Sequence, residues 1–376
     1  MTTHAAHDLV VFGEDWGRHP SSTQHLVRRL AADRQVVWVN SIGLRRPRPN
    51  GPDLMRVASK LLQRPRTASR GVNPPEGMSI VPPMAVSWPG SSLAAAANRH
   101  VVGWQVRRVM AQRNMRRPIL WTSLPSAMPL VGSLGERAVV YYCGDDFGSL
   151  AGVDHEPVVA MERALVDRAD LIIAASERLA QRLPASRTLL LPHGADVDLF
   201  RRPVKRARDL PEKGPIAGFY GSISDWIDVR LLADTAARLV DWTFVMIGDI
   251  RTDVTALRAL PNVKFVGSRT HDVLPSYAQH WTVSLLPFRD CPQIQACNPL
   301  KLREYLATGT AIASTPFPAL APYAGLIETG QTVDGFAAAI RRAAEDRRRN
   351  GLRRSAVAHD SWDARAVELG NALATL

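Results

Sequence analysis

Short apolar runs alternate along this chain with longer stretches in which apolar residues return every three or four positions. The runs at 8–13, 35–40, 78–81, 118–122, 138–143, 171–175 and 188–192 read as strands buried on both faces. Amphipathic patterns at 22–32, 93–113 and 158–168 read as the helices between them. A second alternation begins after Phe200, with strands at 216–221, 243–248, 263–267, 282–287 and 310–314. Helices are expected at 228–240, 254–259, 275–279 and 301–307, then at 333–350 and 353–373, with breaks at Gly351 and at Ser361-Trp362. Strand–helix alternation predicts α/β architecture with parallel sheets. The polar stretch 199–214 predicts a linker, so residues 1–198 and 215–352 form two domains. Residues 353–376 are left as a C-terminal helix.

Composition changes this picture little. A chain of 376 residues, 46% hydrophobic and 22% charged, suits two ordinary globular domains. No run approaches the roughly 18 apolar residues of a membrane span. The N-terminus lacks a basic segment followed by an apolar one, so no secretory leader is expected. Three cysteines make no disulfide framework, and a cytoplasmic location is the default expectation.

Charge changes it more. Of 47 basic and 35 acidic residues, 18 and 6 fall within residues 1–120, leaving 29 of each elsewhere. The excess gathers in an insert at 44–75, where apolar Met55, Val57, Leu61 and Leu62 interleave with Arg56 and Lys60, and again from Arg107 to Arg117. A field of this sign attracts anionic partners, and the insert predicts contact with the inner face of the plasma membrane. No helix-turn-helix, zinc or RNA-binding pattern accompanies the charge, so nucleic acid is not expected.

Candidate chemistry lies at strand ends. The segment from Asn298 to Thr315 predicts a turn, a helix opened by Pro299, a stop at Gly309 and a buried strand. Lys301 and Glu304 share one face near that helix's start, where free N–H groups hold phosphate; a surface ion pair is the plain alternative. Gly221-Ser222 ends a strand and lets a phosphate approach the backbone, and Gly248-Asp249 ends the next. In the first half, Trp16, Arg18, His19, Ser21 and Ser22 crowd the first strand-to-helix loop and suit a sugar or an anion, although Ser21 or Ser22 also suits a helix cap. Asp145 and Asp146 follow a strand and suit an acid/base role or turn capping, with Asp146 preferred.

The run Asn298-Pro-Leu-Lys-Leu-Arg-Glu-Tyr-Leu-Ala-Thr-Gly309 resembles the donor motif of GT-B glycosyltransferases, especially the GT4 group. The resemblance implies two facing Rossmann-like domains, with the last helix crossing back to the first. It implies that Glu304 binds the ribose of a nucleotide-sugar, with Asn298, Pro299 and Lys301 beside the diphosphate. It places Arg269 against the nucleobase and the loop at Trp16 toward the acceptor. His193 stands where those enzymes commonly carry asparagine before the linker. Two departures stand out. Ala296 occupies the position of a second glutamate that contacts the donor sugar. Ser224, Asp225 and Trp226 replace a basic pair after Gly221, leaving Lys301, Arg289 and Arg303 to meet the diphosphate. Similar Gly-x-Ile-x-x-Trp-x-Asp runs occur in teichuronic-acid glycosyltransferases. The expected activity is hexosyl transfer from a nucleotide-sugar to an exopolysaccharide, cell-envelope or lipid-linked acceptor, with retention and with no metal or cofactor. Three alternatives remain open: an inverting transferase with Asp146 as base, a nucleotide-sugar epimerase, and a non-catalytic nucleotide-sugar-binding subunit.

Overall fold

The structure is a computed structural model; it describes residues 6–17, 21–46, 73–150, 152–346 and 348–376. The chain divides into two compact units, residues 1–192 with 365–376, and residues 193–364.

The first unit holds seven parallel strands: β1 (Leu9–Phe12), β2 (Val36–Val39), β3 (Met78–Val81), β4 (Ile119–Thr122), β5 (Ala138–Cys143), β6 (Leu171–Ala174) and β7 (Thr188–Leu190). Their order is β3-β2-β1-β4-β5-β6-β7. Strands β1, β2, β4 and β5 are buried along their whole length, which explains their unbroken apolar runs. Helices Ser22–Leu30, Ser92–Gln112 and His155–Arg168 make crossovers.

The second unit holds β8 (Ile216–Tyr220), β9 (Thr243–Ile247), β10 (Val263–Phe265), β11 (Val283–Leu286), β12 (Ala311–Ser314) and β13 (Glu328–Thr329). All pair in parallel, in the order β10-β9-β8-β11-β12-β13. Both sheets therefore share one winding: the first three strands run outward one way, and the fourth starts on the other side of the first. Ligands bind at that reversal, outside the carboxyl ends of the strands. It lies between β1 and β4 in one unit and between β8 and β11 in the other.

Three expectations need correction. Residues 199–214 are no loose linker but are stitched to the second unit. Gln279 donates to the Phe200 and Arg202 carbonyls, Ala207 N–H donates to Ser276, and Leu210 is buried. Gly351 does not break the C-terminal helices; it lies within Asn350–Ala356, and a break comes at 357–361, before the helix that starts at Trp362. The two-residue β13 has too short an apolar run to read as a strand.

The insert at 44–75, with the interleaved apolar and basic residues at 55–62 that predict membrane contact, falls largely on residues 47–72, outside the described residues, as do Arg18 and His19.

Candidate functional site

The Asn298–Thr315 segment folds as its local signals dictate. Its helix runs Leu300–Thr308, and Gly309 ends it in the left-handed region at φ 78°. Arg354 donates twice to the last-turn carbonyl of Thr308, at 3.0 and 2.8 Å. Pro299 is the capping residue, with extended ψ, rather than part of the first turn; no side chain caps this N-terminus.

Glu304 is 6% exposed. The Tyr220 hydroxyl donates to one carboxylate oxygen, and His271 Nε2 lies 2.7 Å from the other. Asp196 is 3.6 Å from the opposite ring nitrogen of His271. A carboxylate–imidazole–carboxylate chain thus joins residues 196, 271 and 304. Burial opposes charge on His271, but the Glu304 hydrogen bond, then the charges of Glu304, Asp196 and Asp272, outweigh it and raise its pKa. Burial likewise opposes charge on Glu304, and the His271 and Tyr220 hydrogen bonds with the Lys301 charge outweigh it, so its pKa falls. Tyr220 is aimed by Tyr305 and Trp281, whose rings lie 4.9 and 6.2 Å away.

Lys301 reaches the β8 turn. Its ammonium stands over the rings of Phe219 and Phe288, at 5.4 and 5.6 Å. Burial lowers its pKa against the pull of Glu304. A Cβ on Gly221 would stand about 3.0 Å from Lys301 Nζ, so the bare backbone leaves room for the ammonium. Gly221 has φ 130° and Gly248 φ 141°, and a Cβ on Gly248 would meet the Gly221 carbonyl oxygen at 2.0 Å. The turns after β8 and β9 thus touch through bare backbone. Ser222 and Ser224 exchange a hydroxyl bond at 2.8 Å in the same turn.

The other expected donor residues are placed as follows. Asp249 accepts from Ser268 and lies 3.7 Å from Arg251. Arg269 is held by Tyr277 at 3.0 Å and Asp209 at 2.9 Å, so its guanidinium is engaged in-plane. Asn298 accepts from Arg303 at 2.5 Å. Arg303 also pairs with Asp360 at 3.3 Å and is buried. It braces the Asn298 turn and does not offer its charge to a diphosphate. Arg289 is exposed and donates to the Asp225 carbonyl at 3.3 Å, so of the three candidate cations Lys301 and Arg289 remain. Burial and then the Arg303 charge push His193 down to about 3, so it is neutral near pH 7. Ala296 is buried at the end of Pro292–Ala296.

In the first unit, Trp16 is 2% exposed and packs edge-on against Trp38 at 5.0 Å. It anchors the core instead of presenting a face to a sugar. Ser21 caps the Ser22–Leu30 helix, accepting from Gln24 N–H at 3.2 Å. Ser22 is buried and hydrogen-bonds the Tyr142 hydroxyl. Successive β5 side chains point to opposite faces. Tyr141 donates to Glu162 at 2.6 Å on one face, beside a cavity of about 230 Å³ that Asp146 and Arg182 also line. Asp146 pairs with Arg182 at 2.8 Å and accepts from Gly148 and Ser149, the turn-capping role. Of the Asp145–Asp146 pair, Asp145 is the one whose charge reaches Glu14. Glu14, in the β1 turn, is raised from 4.5 to about 7 by burial first, with Asp145 and Asp15 adding to it against hydrogen bonds from its own backbone and Gln24. Gln24 braces that turn, accepting from Gly17 N–H at 3.0 Å.

Four contributors escaped the sequence reading: His271, Tyr220, Asp196 and Glu14. Glu14 and Asp196 lie inside loops singled out for other residues. His271 and Tyr220 carry no local signal, since their partner Glu304 is 33 and 84 residues away.

Two consecutive Rossmann-like units with parallel sheets of this order define the GT-B architecture of glycosyltransferases. Residues 214–346, within the second unit, match the family model described as glycosyl transferases group 1. The chain is 29% identical over 231 residues to Bacillus subtilis TuaH, whose name assigns it to teichuronic acid biosynthesis as a glycosyltransferase. That match spans 55% of this chain and 58% of the relative. The fold is similar to sucrose-phosphate synthase from Thermosynechococcus elongatus, with TM-score 0.70 and 18% identity over 97% of this chain and 98% of that one. It is also similar to Anabaena HepE in complex with UDP-glucose, with TM-score 0.68 and 13% identity over 98% and 100% of the two chains.

Proposed function

We propose that the protein transfers a hexose from a nucleotide-diphosphate sugar to a cell-envelope, exopolysaccharide or lipid-linked acceptor, with retention at the anomeric carbon and without a metal. The observation that carries this reading is the convergence of Lys301, Glu304 and the bare Gly221 turn at the carboxyl edge of β8. Glu304 accepts the ribose hydroxyls: an ionised carboxylate has about four acceptor positions, and Tyr220 and His271 use two. The diphosphate lies over the Gly221-Ser222 turn and the N–H groups that open the Leu300–Thr308 helix. Lys301, with Arg289, meets the charge that develops on the leaving diphosphate, a stabilisation that grows toward the transition state. A UDP-glucose complex in a protein of the same fold, and the teichuronic acid assignment of TuaH, support this donor and acceptor chemistry.

Calorimetric titration with UDP, GDP and ADP, and with their glucose conjugates, tests donor binding. Wild-type affinity retained in both Glu304→Gln and Lys301→Ala would sink the site. Turnover persisting in excess chelator is expected; its loss, restored by a divalent cation, would overturn the metal-free mechanism.

One observation favours a second reading. A carboxyl titrating at about 7 is suited to take a proton from an acceptor hydroxyl. Glu14 therefore replaces Asp146 as the base of an inverting alternative. Anomeric proton NMR of the product separates the two.

A further inference from the structure

The first unit presents an apolar face to solvent. Leu93 is 83% exposed, Trp104 57% and Val101 39%, all on the Ser92–Gln112 helix. At 3.6 residues per turn they fall on one side. The opposite side, with Ala94, Asn98, Val102, Val106 and Met110, is buried. A second strip adjoins it. Met84 N–H donates to Gln105 at 2.9 Å, and Val86 exchanges two hydrogen bonds with Asn98 at 2.7 and 2.9 Å. Exposure alternates from Pro82 to Trp88, so Met84, Val86 and Trp88 point outward beside the helix. Exposed apolar residues gathered in this way mark an interaction surface, whereas scattered ones do not.

The charge around the helix has one sign, and Asp154, paired with Arg46 at 3.9 Å, is the acidic group beside Trp88. No Asp or Glu occurs from residue 77 to 135, while Arg99, Arg107, Arg108, Arg116 and Arg117 are exposed. Arg108 stands over the Trp104 ring at 5.5 Å and Arg46 over Trp88 at 6.0 Å. A second copy of this chain would set arginine against arginine, a costly juxtaposition. An anionic bilayer meets every part of the face. Indole and guanidinium settle at the headgroup level, Leu93 and Val101 reach the acyl boundary, and the arginines meet lipid phosphate. We propose that the outward face of the Ser92–Gln112 helix, with Trp88, docks the protein on an anionic lipid surface. The proposal deepens the lipid-linked reading of the acceptor, yet vesicle binding is measured without donor or acceptor, so either can fail alone.

The test is flotation of the full chain with phosphatidylglycerol–phosphatidylcholine vesicles and with pure phosphatidylcholine vesicles. Wild type is expected to float with the first only. Leu93→Ser with Trp104→Ser is expected to lower partitioning at least about tenfold, from the lost apolar burial. Arg108→Gln with Arg116→Gln is expected to lower it about fivefold per arginine. Unchanged melting temperatures and circular dichroism establish that the variants fold. Acyl-brominated phosphatidylglycerol is expected to quench wild-type tryptophan emission more than that of Trp104→Phe. Three results would overturn the proposal: equal flotation with neutral vesicles, wild-type flotation of the Leu93/Trp104 variant, or a dimer in light scattering that this variant abolishes while flotation persists.

Discussion

Glu304 is a buried anion whose charge is kept by its neighbours. Replacing it with glutamine preserves shape and removes the charge that the ribose hydroxyls would meet. A hydrogen bond to a charged group contributes about 1.5–3 kcal/mol, so Glu304→Gln is expected to weaken UDP-glucose binding by roughly 10- to 100-fold in calorimetry. The pH dependence follows from the same pair. The raised pKa of His271 contributes stability that is complete below its ordinary value of 6.5 and is lost as pH rises through the raised one. The lowered pKa of Glu304 contributes stability present above 4.5 and lost as pH falls through the lowered one. The pair therefore stabilises most between about pH 4.5 and 6.5. His271→Gln is expected to lower the melting temperature more at pH 6 than at pH 9; an equal deficit at both would show that His271 acts by packing alone.

At the scale of single elements, two turns decide whether the donor edge exists. Gly248 sits at φ 141° with the Gly221 carbonyl where a Cβ would stand. Gly248→Ala is expected to cost at least about 1–3 kcal/mol from backbone strain, with the clash adding to it. Chemical denaturation would show this, and nucleotide binding should fall with it. Ser21 separates a cap from an acceptor contact. As a cap, Ser21→Ala should cost about 1 kcal/mol of stability and leave the acceptor KM unchanged. A raised KM at unchanged stability would restore the acceptor role.

At the scale of the whole molecule, residues 365–376 belong to the first unit although they end the chain. Leu369 and Leu373 are fully buried, Gly370 lies against Leu30, and Arg137 donates to the Leu376 carbonyl at 2.8 Å. Removing residues 365–376 is expected to lower the stability of the first unit by several kcal/mol, about 2–5 for each large buried side chain lost. Hydrogen exchange should show new opening in β1 and the Ser22–Leu30 helix. No helix among the described residues is long and apolar enough to cross a membrane.

The Asn298–Gly309 helix was legible because its signals are local: proline before the first turn, a left-handed glycine after the last, and apolar residues on the covered side. Most strands were legible because a parallel strand buried on both faces leaves an unbroken apolar run. The aromatic loop at Trp16 was misleading, since an indole at a strand end serves a core or a ligand equally well in one dimension. Asp146 misled for the same reason: its carboxylate suits catalysis, yet Arg182, 36 positions on, occupies it.

The sequence by itself determined the two strand–helix alternations, the glycine turns and the helix that carries Lys301 and Glu304, because those depend on periodicity and backbone conformation within a few residues. Only the tertiary structure decided the state of the groups they carry. His271 and Asp196 reach Glu304 across 33 and 108 positions, Asp360 takes Arg303 out of contention, and burial lifts Glu14 to about 7. Charge and burial are properties of the neighbours a fold assembles, and distance along the chain does not report them.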